Sequence, residues 1–217
     1  MAERERASAT TVSIPRGDAL HQFVLETFAQ TGRSPTVEQI RARFSLRTLR
    51  EAEAMVAALE RIGSIHRRPG DGAITHAYPF SNEPTAHRVR LAGGTEVYAM
   101  CAIDALGMPL MLRKDADIVS TCAGCGGEVR VEVRGGHATA YAPWDVTVWL
   151  GEMSEGCVAA TDLCPDLNFF CSPACVDAWT LAHPQKRAER LNIDEAVERA
   201  RQVFEDLLYG GGECCGS

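Results

Sequence analysis

The chain has 217 residues, 46% of them apolar and 24% charged, the balance of a soluble globular protein with room for one medium domain or two small ones. Its 29 acidic against 22 basic residues give a formal charge of −7, which argues against non-specific nucleic-acid or anionic-membrane binding as its main task. No apolar run reaches the roughly 20 residues of a membrane helix, and the charged, Ser/Thr-rich start lacks the apolar stretch of a secretory signal, so a cytoplasmic location is expected.

Residues 1–17 show no periodic apolar pattern and read as a disordered tail. Leu20, Val24 and Phe28 then recur at helical spacing, widened by Phe23 and Leu25 and ended by Gly32 and Pro35. Thr36 with Gln39 forms a capping box for a short helix containing Val37 and Ile40. Ser45 is expected to cap a longer helix carrying Leu49, Ala52, Val56, Leu59 and Ile62, with Gly63 as its stop. Ser64–His66 and Ala73–Thr75 flank a loose turn and predict a hairpin. Helices followed by a hairpin make residues 18–80 a winged-helix-like helical domain. In such a module Arg41, Arg43, Arg47, Arg50, Arg67 and Arg68 would face phosphates, but Glu38, Glu51, Glu53 and Glu60 dilute the basic face. Packing on the rest of the chain is therefore the favoured reading, and nucleic acid is not expected as a partner.

Pro79–Pro84 reads as a linker into a second domain over residues 81–209. Strands are predicted at His87–Leu91, Thr95–Ala99, Ile118–Val119, Glu128–Val133, Ala138–Tyr141 and Val146–Leu150, with one ending at Phe169–Phe170. Cys101 to about Met111 predicts a short apolar helix interrupted near Gly107 and Pro109, and Gly151–Thr161 a loop. Pro173–Ala182 and Ile193–Leu208 predict helices, the second with Ile193, Ala196, Val197, Ala200, Val203, Phe204 and Leu207 on one face. Residues 210–217 form a glycine-rich flexible tail carrying Cys214 and Cys215. The fold class is α+β: the helical domain, then a mixed domain with a mainly antiparallel sheet.

The 9 cysteines all lie beyond residue 100: Cys101, Cys122, Cys125, Cys157, Cys164, Cys171, Cys175, Cys214 and Cys215. An odd number in a reducing compartment is a poor disulfide framework and points to metal or thiol chemistry. Cys122-Ala-Gly-Cys125 followed by glycines can form a knuckle with both sulfurs turned inward, and Cys171-Ser-Pro-Ala-Cys175 opens a helix. A knuckle plus a pair at a helix start resembles a treble-clef zinc finger, so Cys122, Cys125, Cys171 and Cys175 are candidate ligands of a structural Zn²⁺. Unligated buried thiols and a redox pair are the competing readings.

Cys101 and Asp104 lie three residues apart at a helix start, hence on one face, among Ala99, Met100, Ile103, Leu106, Met108 and Leu110. A carboxyl in apolar surroundings holds its proton to higher pH and can pass it on. A core thiol beside an ordinary first-turn acid is the competing reading.

Tyr98-Ala-Met-Cys101-Ala-Ile-Asp104 resembles the active-site segment of the organomercurial (alkylmercury) lyases, Tyr-Ala-x-Cys-Ala-x-Asp. Cys164-Pro-Asp-Leu-Asn-Phe169-Phe170 resembles that family's second catalytic cysteine ahead of a Phe-Phe pair. Cys122 stands where the family commonly has a non-catalytic cysteine. The similarity extends over residues 18–180, with specificity in the two short motifs. It implies a winged-helix-like N-terminal domain, catalytic and mercury-binding roles for Cys101, Asp104 and Cys164, and cleavage of R–Hg⁺ to R–H and Hg²⁺ without a redox cofactor. It further implies an organomercurial substrate, small cytosolic thiols as exchange partners, and mercuric reductase as a recipient of Hg²⁺. Cys214-Cys215 resembles the Cys-Cys end of mercuric reductases, which implies a mercury relay; an unstructured end is the competing reading. Cys125, Cys171 and Cys175 depart from the family pattern, and Cys157 sits in the loop as a spectator or part of a lid. Other functions for the same thiols are a metal-responsive winged-helix regulator sensing through Cys101 and Cys164, and a soft-metal carrier. Asp104 separates these from the lyase, since a pure thiol binder has little need of a proton relay.

Overall fold

The computed structural model describes residues 19–151 and 164–209. The expected tail at 1–17, Cys157 and the Cys214-Cys215 tail lie outside the described residues.

Helix α1 (Ala19–Thr31) buries Leu20, Val24, Leu25 and Phe28, the predicted stripe. Helix α2 (Val37–Arg43) begins with the expected Thr36–Gln39 capping box. Helix α3 (Leu49–Arg61) is capped by Thr48 and Glu51. Ser45, the expected cap, instead takes a left-handed turn between the two helices, with φ of 52°. Gly63, at φ 74°, ends α3 as predicted. Its N–H reaches the Glu60 carbonyl while that of Ser64 reaches Leu59, a Schellman closure that requires a residue free to adopt positive φ.

Strands β1 (Ile65–Arg67) and β2 (Ile74–Ala77) form the expected hairpin. They join an eight-stranded sheet with β3 (Phe80–Ser81), β4 (His87–Leu91), β5 (Glu96–Ala99), β6 (Ala116–Thr121), β7 (Glu128–Arg134) and β8 (His137–Ala142). The order is β1-β2-β3-β5-β4-β6-β7-β8, every pairing antiparallel. The stretch expected as a linker thus contains β3, whose backbone pairs with β2 on one side and β5 on the other. Phe80 is fully buried and stacks on Phe28 of α1 at 5.1 Å. A second sheet, β10-β9-β11, combines β9 (Thr147–Gly151), β10 (Leu167–Phe170) and β11 (Ala188–Leu191).

Alternation along β4, β6 and β7 turns Val89, Leu91, Ile118, Val129, Val131 and Val133 to one face. Helix α4 (Ala102–Leu112) lies against this face with every residue buried, which is why its sequence is apolar all round. It runs unbroken through Gly107 and Pro109, where an interruption was expected. The reason is tertiary: α6 (Ile193–Phe204) crosses it, and the ring of Phe204 lies where a Cβ on Gly107 would stand, 2.1 Å from Cδ2. Packing on both sides outweighs the intrinsic helix cost of Gly and Pro. Helix α5 (Pro173–Ala182) matches its predicted span, whereas α6 ends four residues before the predicted Leu208. The architecture is mixed α+β with a large antiparallel sheet.

Candidate functional site

Cys101 is the N-cap of α4, two residues beyond the end of β5, and its Sγ accepts the Asp104 backbone N–H at 3.3 Å. That cap directs the thiol back over the first helical turn, where the Asp104 carboxyl also projects. Cys164 opens a 3-10 turn, Cys164–Asp166, that leads into β10. Its Sγ lies 3.7 Å from Asp104 Oδ2 and donates toward it. The three side chains are 0%, 0% and 4% exposed, and their ligand atoms all lie within 4.8 Å of one another. Residues 60 positions apart are therefore joined in one buried thiol–carboxyl–thiol group.

Burial decides the electrostatics. It raises the Asp104 carboxyl from 3.8 to about 7, against the opposing pull of hydrogen bonds from Cys101, Tyr78 and Cys164. Asp104 Oδ1 is buried without a hydrogen-bond partner among the described residues. Desolvation pushes the Cys101 thiol well above its usual range, aided by contact with Cys164 and the Asp104 charge. At Cys164 the hydrogen bond to Cys101 pulls down, but burial and the Asp104 charge together leave the thiol raised. Both thiols thus hold their protons at neutral pH, beside a carboxyl poised to gain or lose one.

Tyr78 completes the group and was not among the residues singled out from sequence. Burial, then the Asp104, Cys101 and Cys164 charges, raise its phenol well above the usual value, with a hydrogen bond to Asp104 adding to the rise. The ring rests on Phe204 of α6 at 5.2 Å. Its local signal was weak: a tyrosine after a short strand looks like any aromatic at a domain junction.

The other four cysteines among the described residues gather elsewhere. Cys122 and Cys125 form a tight turn between β6 and β7, in which Cys122 N–H bonds the Gly127 carbonyl at 2.7 Å and Gly126 N–H bonds that of Cys122 at 2.9 Å. Cys171 and Cys175 flank Ser172, the N-cap of α5. The Sγ atoms of Cys122, Cys125, Cys171 and Cys175 lie within 4.8 Å of one another. Cys125 is exposed, and the Gly127 backbone N–H, with neighbouring thiols, lowers its thiol to about 7. Cys171 is raised by its contact with Cys175.

The basic residues of the N-terminal half are partly spoken for. Arg67 pairs with Glu60 at 2.8 Å, Arg68 with Asp71 at 3.0 Å and Glu83 at 3.5 Å, and Arg43 lies over the rings of Phe23 and Phe44. No described helix is long and apolar enough to cross a membrane.

A sequence model of the alkylmercury lyase family (MerB) matches residues 80–205, which include both cysteine groups. The alkylmercury lyase of Streptomyces lividans is 30% identical over 194 residues, covering 88% of this chain and 86% of that one. Those of Staphylococcus epidermidis and Bacillus cereus are 28% and 27% identical, and the chain spans 64% and 61% of their lengths. In fold, the chain is similar to the crystal structure of the mercury-bound form of MerB2, with a TM-score of 0.73 at 23% identity, over 88% of this chain and 92% of that one. On the match across residues 80–205 and the Streptomyces lividans relative, the chain belongs to the alkylmercury lyase family.

Proposed function

We propose that the protein is an organomercurial lyase that protonates the carbon of R–Hg⁺ and retains the mercury on two thiolates. The observation that carries this reading is the buried Asp104 carboxyl within reach of both Cys101 and Cys164. Mercury is a soft Lewis acid and prefers thiolate. One thiol of the pair exchanges onto R–Hg–SR′, releasing R′SH and leaving R–Hg–S–Cys. The second thiol adds to the mercury as it yields its proton to Asp104, whose pKa of about 7 suits it to the transfer. Two sulfurs donating to one mercury raise electron density at the attached carbon, which takes the proton from Asp104. The Hg–C electron pair becomes the new C–H bond, R–H departs, and Hg²⁺ remains between Cys101 and Cys164. Summed, R–Hg⁺ and two thiols give R–H, a mercury dithiolate and H⁺, so no electron carrier is needed. Small cytosolic thiols would supply R′SH and extract the product, with mercuric reductase as the recipient and Cys214-Cys215 as a relay in a cytoplasmic protein. The helices α1–α3 with the β1–β2 hairpin fit a winged-helix-like unit that has become a packing module, a reading supported by the pairing of Arg67 and Arg68 with acids.

The test is headspace gas chromatography of the purified chain with phenylmercury or methylmercury and excess small thiol. Benzene or methane is expected from the wild-type chain and not from Cys101→Ala. Asp104→Asn should bind mercury yet release at least tenfold less hydrocarbon, corresponding to a loss of at least about 1.4 kcal/mol of transition-state stabilisation. Undiminished release by Asp104→Asn would overturn the role given to the carboxyl.

A further inference from the structure

We propose that Cys122, Cys125, Cys171 and Cys175 bind one Zn²⁺ in a closed structural site that fastens the strand following Cys164 to the large sheet. This inference stands on the second cysteine group alone and does not depend on the reaction proposed above.

The geometry is that of a ligand set already assembled. Tetrahedral Zn²⁺ with Zn–S bonds of about 2.3 Å places its sulfurs about 3.8 Å apart. Here Cys125 Sγ lies 3.5 Å from Cys171 Sγ, which lies 3.1 Å from Cys175 Sγ, and all four sulfurs fall within 4.8 Å. The spacing of 3.1 Å is far beyond the roughly 2.0 Å of a disulfide bond, and the group offers no carboxylate or imidazole. An all-sulfur tetrahedral set selects Zn²⁺ or iron over the hard cations. With four protein ligands it leaves no open position, the mark of a structural rather than a catalytic metal.

The backbone around the sulfurs supports thiolates. Cys171 N–H donates to Cys122 Sγ at 3.3 Å. Cys175 stands in the first turn of α5, whose dipole favours negative charge, and its own N–H is held by Ser172 Oγ at 3.3 Å. A Cβ on Gly124 would stand 3.0 Å from the Cys175 carbonyl oxygen, so the turn between the first two ligands is already seated on the helix bearing the last. Ala123 N–H bonds the Phe169 carbonyl at 3.0 Å, tying that same turn to β10.

The consequence for the reacting group is positional. Cys164 enters β10 through a single short turn, and β10 leads directly to Cys171. A metal at the four sulfurs would cross-link the β6–β7 turn to the β10–α5 junction and hold β10 in place. These cysteines are positioning residues, distant from the reacting thiols in role.

The full chain, purified under reductant, should carry about one zinc per molecule by inductively coupled plasma mass spectrometry. Cys125→Ser and Cys175→Ser should each reduce that content at least fivefold, while a Cys214→Ser, Cys215→Ser chain should retain it. Replacing zinc by Co²⁺ should give the thiolate charge-transfer and visible bands of tetrahedral sulfur coordination, a readout independent of turnover. Three results would overturn the proposal: a wild-type chain free of zinc with all four thiols open to titration, zinc lost only with the tail cysteines, or stoichiometric iron in place of zinc. Should the serine variants fail to fold, the wild-type metal content and the cobalt spectrum decide by themselves.

Discussion

At the scale of single residues, the buried thiol–carboxyl–thiol group stores a stability cost in one carboxyl. An unfolded chain releases the Asp104 proton near the ordinary value of 3.8, whereas the folded chain keeps it to about 7. Between those values the folded state binds the extra proton, so stability falls as pH rises from 3.8 to about 7 and stays reduced above it. The accumulated cost is on the order of 4 kcal/mol. Asp104→Asn should therefore raise the melting temperature at pH 8 and have little effect at pH 4, in thermal denaturation at the two pH values. An equal gain at both would show that the carboxyl is not strained by ionisation. Tyr78 acts through the same carboxyl. Its hydroxyl favours the carboxylate, so Tyr78→Phe should move the acidic limb of the pH–rate profile to higher pH while leaving the thiols in place. A fall in rate with an unmoved limb would give Tyr78 a packing role only. Cys101 and Asp104 stood out through the motif Tyr98-Ala-Met-Cys101-Ala-Ile-Asp104 and its resemblance to a family segment; helical geometry added only that residues three apart share one face. Tyr78 did not, since its partners come from α4 and the turn before β10, and no local pattern ties it to them.

At the scale of elements, α4 shows how packing overrules propensity. Gly107 and Pro109 look like breaks in the sequence, yet the helix is continuous because α6 covers it. Gly107 provides close approach: an added Cβ would lie 2.1, 2.6 and 2.7 Å from three ring carbons of Phe204. That ring is fully buried and also carries Tyr78, so it has little room to retreat. Gly107→Ala should cost roughly 1–3 kcal/mol in urea denaturation, with part regained on adding Phe204→Leu. Additive effects of the two substitutions would mean that they do not meet. β11 escaped the sequence reading because Ala188–Leu191 includes charged Glu189 and Arg190 and buries only its last residue, leaving no apolar alternation to read. Yet it pairs along β9 and completes the sheet that holds β10, the strand following Cys164.

At the scale of the molecule, the sequence was most informative where order is local: the Thr36–Gln39 capping box, the β1–β2 hairpin and the two cysteine motifs. It was least informative where distant segments meet. The two halves of the chain share a sheet through β3, a two-residue strand too short to leave a period. The grouping of Cys122 and Cys125 with Cys171 and Cys175 is the exception: it was expected from the two motifs, and the fold meets it by bringing the turn after β6 to the end of β10.

The burial of Cys101, Asp104 and Cys164 also works as a filter of the kind a chemist sets up with two immiscible liquids. A hydrated zinc or copper dication would have to shed its water and place charge among apolar side chains, against thiols that hold their protons. The R–Hg–S unit of an organomercury thiolate is uncharged and largely apolar, and exchanges one thiol for another without creating net charge. Under the proposed chemistry, the interior extracts its substrate by partition before the sulfurs ever choose it by affinity.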